Sequence, residues 1–231
     1  VLEIGPGLGV LTSDLLKRVG KVTAIELDDV LAAHLQNRLG GNSRFNLIAG
    51  DALQTNLRDV VGVEPVKVVA NLPYSVAAAI VQHVLEAEIN LVSATIMVQR
   101  EVGQRLVAEP PDMSILSVAT QTYATGSIAF IVPPDVFIPP PTVESAVVHL
   151  LPHTEPLVSR DQRDLYFRLV NGGFRHKRKN IANSLEFELR LQKDEIATRL
   201  RNAGIDPVRR AQTLSVAEWV NLLHVWTEAG A

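Results

Sequence analysis

The first hundred residues alternate between short β-branched apolar runs and longer stretches in which apolar residues recur at helical spacing. Strands are predicted at 1–4, 21–26, 44–49, 67–70 and 91–99, with helices between most of them at 8–19, 28–39 and 75–88. Strands that alternate with helices are typical of βαβ units, which build a parallel sheet with helices on both faces. We therefore predict an α/β domain.

The pattern changes after Arg100. A helix is predicted at 101–108, closed by Pro110 and Pro111, and two further strands at 115–123 and 143–151. Between these strands, residues 133–141 contain five prolines around Val136-Phe137-Ile138. Proline fixes φ and lacks an N–H donor, so this stretch cannot be a helix or a central strand. We expect a stiff loop that holds its apolar residues in place.

Residues 152–156 look like a linker, and the remaining signals are helical. Helices are predicted at 162–171, 178–189, 194–203 and 216–227, the last with Ser215 as its N-cap. The chain is thus divided into an α/β domain over residues 1–152 and a small helical domain over residues 153–231.

Composition narrows the class of protein. Charged residues are 20% and hydrophobic residues 47% of the 231, as in a globular protein. The absence of cysteine excludes disulfides and thiolate metal sites. No apolar run reaches the ~20 residues of a membrane helix, and no signal peptide is visible. Because Val1 already lies in a predicted strand, we expect a fragment that lacks its natural N-terminus.

The charge is unevenly distributed. The net charge is −3, yet residues 160–210 hold thirteen Lys and Arg against seven Asp and Glu, a local balance of +6 that leaves −9 elsewhere. A basic C-terminal part on an acidic body suggests a polyanionic partner, although charge alone favours a solvated helix face.

A glycine loop follows the first strand and opens a helix. It reads Glu3-Ile4-Gly5-Pro6-Gly7-Leu8-Gly9. Glycines let the backbone approach a ligand, and the helix N-terminus offers unpaired N–H groups. Glu26 ends the second strand, where a carboxylate can accept from both ribose hydroxyls of a nucleoside cofactor.

The acidic residues indicate which cofactor. The spacing is G-x-G-x-G rather than the dinucleotide-binding G-x-G-x-x-G. Glu3 would repel a pyrophosphate and attract an ammonium and a sulfonium, which favours S-adenosylmethionine. Asp51, after the third strand, could accept from the adenine amine of the cofactor, or could simply cap a turn.

The tetrapeptide Asn71-Leu72-Pro73-Tyr74 follows the fourth strand. An aromatic amine is a poor nucleophile, so its lone pair must be oriented toward the methyl group. The Asn71 side-chain oxygen and the Leu72 carbonyl can each accept one amine N–H, while Pro73 stiffens the backbone. Tyr74 can stack on a base rotated out of its helix. This chemistry requires neither a metal nor a covalent intermediate.

Taken together, these motifs resemble the KsgA-type family of ribosomal RNA small-subunit adenine N6-dimethyltransferases. The shared segments include Ile25-Glu26-Leu27-Asp28, Gly50-Asp51-Ala52, the tetrapeptide, 99–102, 137–148, 174–185 and 204–211. Members dimethylate two adjacent adenines in the 3′-terminal hairpin of small-subunit RNA during ribosome biogenesis. The resemblance runs nearly end to end.

The resemblance implies a role for each site. Residues expected to bind the cofactor are Glu3, Gly5, Gly7, Gly9, Glu26, Leu27, Asp51, Ala52 and Asn71; those expected at the target base are Asn71, Leu72, Pro73, Tyr74 and Phe137. Phe137 would stack on the face of the base opposite Tyr74. Arg175, Lys177, Arg178 and Lys179 would contact RNA phosphate. The chain is expected to be cytoplasmic and monomeric, with the small ribosomal subunit as partner and without a membrane or metal partner.

Two departures from the family pattern stand out. The usual opening segment, roughly G-Q-N-F-L, is absent here. The frequent Tyr-Gly-Arg-Leu-Ser stretch reads Met113-Ser114-Ile115-Leu116-Ser117, so an RNA contact from that arginine is missing.

Three alternatives to this function are compatible with parts of the sequence. The antibiotic-resistance branch, which methylates an adenine of large-subunit RNA, shares the catalytic half. A non-catalytic ribosome-assembly or transcription factor could use the same fold. A nicotinamide dehydrogenase shares the loop layout, but no hydride-transfer constellation is visible.

Overall fold

The structure, a computed structural model, describes residues 1–73, 75–176 and 178–228. Seven strands form one mixed sheet in the order β3-β2-β1-β4-β5-β7-β6. The strands are β1 (Leu2–Ile4), β2 (Val22–Glu26), β3 (Phe45–Ala49), β4 (Val66–Asn71), β5 (Leu91–Gln99), β6 (Ala124–Val132) and β7 (Ser145–Pro152). Neighbours among β1 to β5 are parallel, whereas β7 runs antiparallel to both β5 and β6.

Helices connect and follow these strands. They are α1 (Val10–Arg18), α2 (Asp29–Leu39), α3 (Leu57–Val61), α4 (Ala77–Glu86), α5 (Arg100–Leu106), α6 (Ile115–Tyr123), α7 (Arg163–Phe174), α8 (Ile181–Leu189), α9 (Lys193–Asn202) and α10 (Val216–Glu228). The α/β class and the C-terminal helical region predicted from the sequence are confirmed. In the part of the chain that the structure describes, no helix is long and apolar enough to cross a membrane.

Local sequence explains the first βαβ units. The Asp28 side chain accepts hydrogen bonds from Val30 N and Leu31 N and so caps α2. Leu16 and Leu35 pack with apolar residues of β2 and β3 in one buried cluster. Gly9 precedes α1 with φ 76°, and a Cβ there would lie 2.5 Å from Leu35 Cδ2. Only glycine satisfies both the positive φ and this close packing.

The chain forms two compact units. The first contains residues 1–104 and 124–152, and the second contains residues 105–123 and 153–231. The predicted boundary at residue 152 coincides with the point where the chain finally leaves the first unit. Residues 105–123, which the sequence analysis placed in the first domain, belong to the second unit.

The second unit has its own core, in which Trp219 and Tyr166 are fully buried. The Tyr166 hydroxyl and the Thr122 hydroxyl are hydrogen-bonded at 3.0 Å. At the start of α10, Glu218 N donates to Ser215 Oγ while Ser215 N donates to the Glu218 carboxylate. This reciprocal pair is a capping box, which confirms Ser215 as the N-cap.

Residues 115–123 form helix α6, so the predicted strand there is wrong. Residues 116–120 are all buried, which removes the polar face that would have revealed helical periodicity. The missed signal was the serine pair at the start of the helix. Ser114 Oγ accepts from Ser117 N, and Ser117 Oγ accepts from Ser114 N. Helix α3 and edge strand β6 were also not predicted.

Candidate active site

A cavity of about 930 Å³ lies in the first unit at the carboxyl ends of β1, β2 and β4. Its walls include the glycine loop after β1, the residues that end β4, and the proline-rich loop between β6 and β7. Ligands of open parallel α/β sheets bind at this edge, since loops rather than strands surround it. The cavity is therefore the candidate site.

The glycine loop combines close approach with open space. Gly5 and Gly7 have φ of 70° and 57°, which a residue with a side chain rarely adopts. A Cβ on Gly5 would lie 3.6 Å from the Asn71 carbonyl oxygen, so the loop runs beside the end of β4. Nothing lies within 4 Å of a Cβ on Gly7. The backbone at Gly7 is thus open to a ligand.

Glu26 ends β2, is only 6% exposed and lines the cavity. Its carboxylate accepts from Gly7 N at 3.0 Å through Oε2 and from Asp28 N at 3.0 Å through Oε1. These bonds fix the glycine loop to the end of β2. A carboxylate has about four acceptor positions, so capacity remains for ligand hydroxyls.

Glu3, in the middle of β1, lines the same cavity and is 2% exposed. Its Oε2 has no hydrogen-bond partner among the described residues. Burial raises the pKa of the Glu3 carboxyl, the neighbouring Thr12 hydroxyl offsets part of this rise, and the nearby Glu26 carboxylate adds to it. An unsatisfied buried carboxylate beside a second one favours a cationic ligand and opposes a pyrophosphate. The two carboxylates, of Glu3 and Glu26, therefore fit the ammonium and sulfonium of S-adenosylmethionine.

The residues that end β4 form a further part of the cavity wall. Asn71 is exposed, whereas Leu72 is 3% exposed and its N–H donates to the Met97 carbonyl at 3.3 Å. Val76 N donates to the Pro73 carbonyl at 3.2 Å, which closes the turn into α4. Asn71, Leu72 and Pro73 all line the cavity. Tyr74 lies outside the described residues.

The proline-rich loop brings Phe137 to the cavity. A short 3₁₀ helix at Pro134–Val136 precedes it, and Phe137 N donates to the Pro134 carbonyl at 3.1 Å. Phe137 is half-buried and lines the cavity, while Val136 is 61% and Ile138 100% exposed. The structure thus directs one aromatic ring of this loop toward the cavity.

Some expected cofactor residues do not line the cavity. Gly9 is buried against Leu35, and Leu27 is 69% exposed. Asp51 Oδ1 accepts from Leu53 N at 2.9 Å, so this side chain makes the local turn that was one of its two interpretations. Ala52 is buried. Their cofactor contacts remain predictions.

Other cavity residues were not predicted from the sequence. Thr95 and Met97 on β5, and Ser145 and Val147 on β7, form part of the cavity wall. Members of each pair are two positions apart, so they lie on the same face of the sheet. Both strands read as near-continuous apolar runs, and the sequence does not show which face is open.

The basic residues of segment 175–179 in the second unit differ in whether they are ion-paired. Arg175 forms an ion pair with Glu188, and its guanidinium lies 5.7 Å from the centre of the Phe187 ring. Arg178 and Lys179 are exposed, and among the described residues neither is ion-paired. Lys177 lies outside the described residues. Arg178 and Lys179 therefore remain open to a polyanion, whereas Arg175 is partly engaged.

Comparison with known proteins gives consistent results over nearly the whole chain. The model of the family "Ribosomal RNA adenine dimethylase" matches residues 1–227. The chain is 42% identical over 224 residues to ribosomal RNA small subunit methyltransferase A of Dehalococcoides mccartyi strain CBDB1, covering 96% of this chain and 77% of that protein. The protein of the same name from Clostridium perfringens strain SM101 is 43% identical, covering 95% and 78%.

Solved structures share the fold. The 23S rRNA methyltransferase ErmE superimposes with a TM-score of 0.74 at 29% identity, covering 97% of this chain and 89% of that one. A dimethyladenosine transferase from Plasmodium falciparum gives 0.81 at 24% identity, covering 99% and 90%. The family match over residues 1–227, together with the relatives at 42% and 43% identity, establishes that the chain belongs to the ribosomal RNA adenine dimethylase family.

Proposed function

We propose that this chain transfers methyl groups from S-adenosylmethionine to the N6 amines of two adjacent adenines in the 3′-terminal hairpin of small-subunit ribosomal RNA. The observation that carries the proposal is the cavity, which brings the glycine loop, Glu3 and Glu26 next to Asn71, Leu72 and Phe137. Family membership supports the reaction class, and the residues around the cavity support separate assignments for a cationic cofactor and an aromatic amine.

The small subunit is favoured over the large subunit by sequence similarity. Relatives at 42% and 43% identity carry the name small subunit methyltransferase A, whereas the 23S enzyme ErmE is 29% identical. We therefore take large-subunit RNA as the outcome to be excluded by experiment. An Asn71 that faces the cavity argues against a purely structural role.

We assign cofactor binding to one side of the cavity. The open backbone at Gly7 admits close approach, and the Glu26 acceptors remaining after its two backbone bonds would take ribose hydroxyls. The unsatisfied Glu3 Oε2 would attract positive charge. When bound, the cofactor supplies a methyl group already activated by its sulfonium.

We assign the target base to the other side. The Asn71 side-chain oxygen and the Leu72 carbonyl would each accept one N–H of the adenine amine, which orients its lone pair. Phe137 offers an apolar face at the cavity wall for stacking. Tyr74 keeps its sequence-based role on the other face of the base. Positioning and fixed dipoles account for the catalysis in this scheme.

The test is tritium transfer from labelled S-adenosylmethionine to undermethylated small subunits, with purified large subunits in parallel. We expect incorporation only with small subunits, and dimethyladenine in the digested RNA. Incorporation into large subunits alone would favour the resistance-type activity. Cofactor binding without any transfer would favour a non-catalytic assembly factor. An NADH fluorescence titration is the corresponding check for a dehydrogenase.

The proposed substrate also indicates where in the cell the protein acts. Because the curated relatives are bacterial proteins named for ribosomal RNA, we place this activity in the cytoplasm, where ribosomes assemble. We also expect the chain to act as a monomer, which light scattering would check.

A further inference from the structure

A second cavity, of about 300 Å³, lies within the second unit. We call it the basic pocket, because Arg105, Lys179 and Arg210 lie on its wall. These residues come from α5, from the segment before α8 and from the turn before α10. Each of three separate chain segments thus places one cation at the same concave surface.

The cations of the basic pocket differ from other arginines of the same unit. Arg175, Arg199 and Arg209 each form an ion pair with a glutamate. Within residues 1–73, 75–176 and 178–228, no carboxylate is ion-paired with the pocket cations, and the pocket wall includes no acidic residue. Unneutralised cations around a cavity favour an anionic ligand.

The floor of the basic pocket is apolar. Phe174 and Met113 contribute buried side chains, and Ile115 is 42% exposed. Phe174 is held in place by stacking on Trp219, with ring centres 5.9 Å apart. A free phosphate ion would gain nothing from this surface, whereas a flat heterocycle would cover it.

His176 lines the same pocket and has an unmet hydrogen bond. Its Nε2 is out of contact with solvent and has no partner among the described residues. Its ring packs edge-on against Phe187 at 5.1 Å, which restrains its orientation. Because Nε2 is covered, His176 contributes to the pocket as a fixed part of its wall.

We propose that the basic pocket binds one unpaired nucleotide of the RNA substrate, remote in sequence from the catalytic tetrapeptide. The phosphate contacts Arg105, Lys179 and Arg210, and the base covers Ile115 and Phe174. A volume of about 300 Å³ suits a ligand of this size. The proposal rests on the proposed function for the identity of the RNA, and it adds a site that would recognise a single-stranded position.

The test compares matched variants for binding to small subunits over a salt series. Lys179→Ala/Arg210→Ala removes two pocket cations, and Lys193→Ala/Arg201→Ala removes two exposed cations outside the pocket. Ile115→Ala removes apolar floor without changing charge, and Val208→Ala is its control at a 69% exposed position outside the pocket. Thermal unfolding of each variant verifies folding.

We expect the pocket double variant to lose at least about tenfold more affinity than its control, with a salt slope lower by roughly 0.7 for each phosphate that is no longer bound. Ile115→Ala should lose roughly threefold to tenfold with an unchanged slope, because it acts on the base rather than on phosphate. Chemical probing of the bound RNA should show one unpaired nucleotide that is protected by wild type and by the controls, but reactive with Ile115→Ala.

Equal losses in the two double variants would overturn the proposal and leave only general charge attraction. If Ile115→Ala binds the subunit as tightly as Val208→Ala, the pocket contacts only phosphate. This result would also overturn the proposal that it binds a nucleotide. Methyl transfer by wild type is measured in parallel. Its absence would refute the proposed function, while the binding comparison would still decide whether the pocket takes a nucleotide.

Discussion

At the scale of single residues, Asn71 offers the sharpest separation of chemistry from binding. Its side chain is exposed at the cavity, and its strand pairing uses only backbone atoms. Asn71→Ala should lower single-turnover methyl transfer by about 10²–10³-fold, because one oriented acceptor is removed. Calorimetry should show a much smaller loss of cofactor affinity, because the glycine loop, Glu3 and Glu26 are retained. A variant that keeps more than about a tenth of the wild-type rate would remove Asn71 from the acceptor role.

Glu26 has a double role that the sequence alone did not reveal. Because its carboxylate holds Gly7 N and Asp28 N, Glu26→Ala leaves two donors unpaired and also removes acceptors for the ligand. We expect cofactor affinity to fall roughly ten- to a hundredfold and the free energy of unfolding to fall by about 1–3 kcal/mol. Glu26→Gln keeps one acceptor, so its cofactor affinity and its free energy of unfolding should lie between those of wild type and Glu26→Ala. Glu64→Ala, at an exposed position outside the cavity, is the control in calorimetry and denaturant titration.

Glu3 should make stability depend on pH. Its pKa in the folded protein is raised by burial, so the folded state binds the proton more tightly than the unfolded chain. Its contribution is therefore fully present below the unfolded pKa and is lost as pH rises through the raised folded pKa. Glu3→Gln should be more stable than wild type at neutral pH, with the advantage shrinking toward pH 4.

Thermal unfolding of wild type and Glu3→Gln across this pH range, without cofactor, tests the Glu3 prediction. The same substitution should weaken binding of the cationic cofactor, since it removes the attraction to its positive charge. A Tm difference that is independent of pH would show that Glu3 does not titrate as its burial implies.

At the scale of elements, close packing between α7 and α10 depends on a glycine. A Cβ on Gly173 would lie 2.4 Å from a ring carbon of Trp219, which is fully buried. Gly173→Ala should cost about 1–3 kcal/mol through overpacking. Asn171→Ala is the matched control in the same helix, since Asn171 is exposed. Denaturant unfolding should show a much smaller change for Asn171→Ala; equal losses would contradict the packing argument.

Elements with local signals were predictable, and those decided by tertiary packing were not. The alternation of apolar runs and helical spacing located β1 to β5 and the helices between most of them, because parallel strands buried on both faces are apolar throughout. The prediction for helix α6 was wrong because five consecutive buried residues hide its helical periodicity. The glycine loop, Glu3 and Asn71 were predictable because their spacing reflects direct backbone requirements. Thr95 and Val147 were not, since only the assembled sheet shows which face borders the cavity.

At the scale of the whole molecule, charge is partitioned between the two units. Residues 160–210 carry a balance of +6 in a chain of net charge −3. Two arginines of this segment, Arg175 and Arg199, are ion-paired with glutamates that the balance already counts, and Arg209 is paired with Glu218, which lies outside the segment. The number of arginines in a segment therefore overestimates its capacity for RNA, and unpaired cations should dominate the electrostatic attraction.

This partition gives a prediction for the segment that the sequence assigned to RNA phosphate as a whole. Arg178 is exposed and without an ion pair among the described residues, so Arg178→Ala should weaken subunit binding and lower the salt slope by roughly 0.7–0.9. Arg175→Ala should instead lower stability, because it breaks the pair with Glu188 and the contact with Phe187, and should leave the slope nearly unchanged. Filter binding over a salt series, with Arg201→Ala as the exposed control, measures both. If Arg175→Ala lowers the slope as much as Arg178→Ala, the ion pair with Glu188 opens on RNA binding, and the whole segment contacts phosphate as the sequence first suggested.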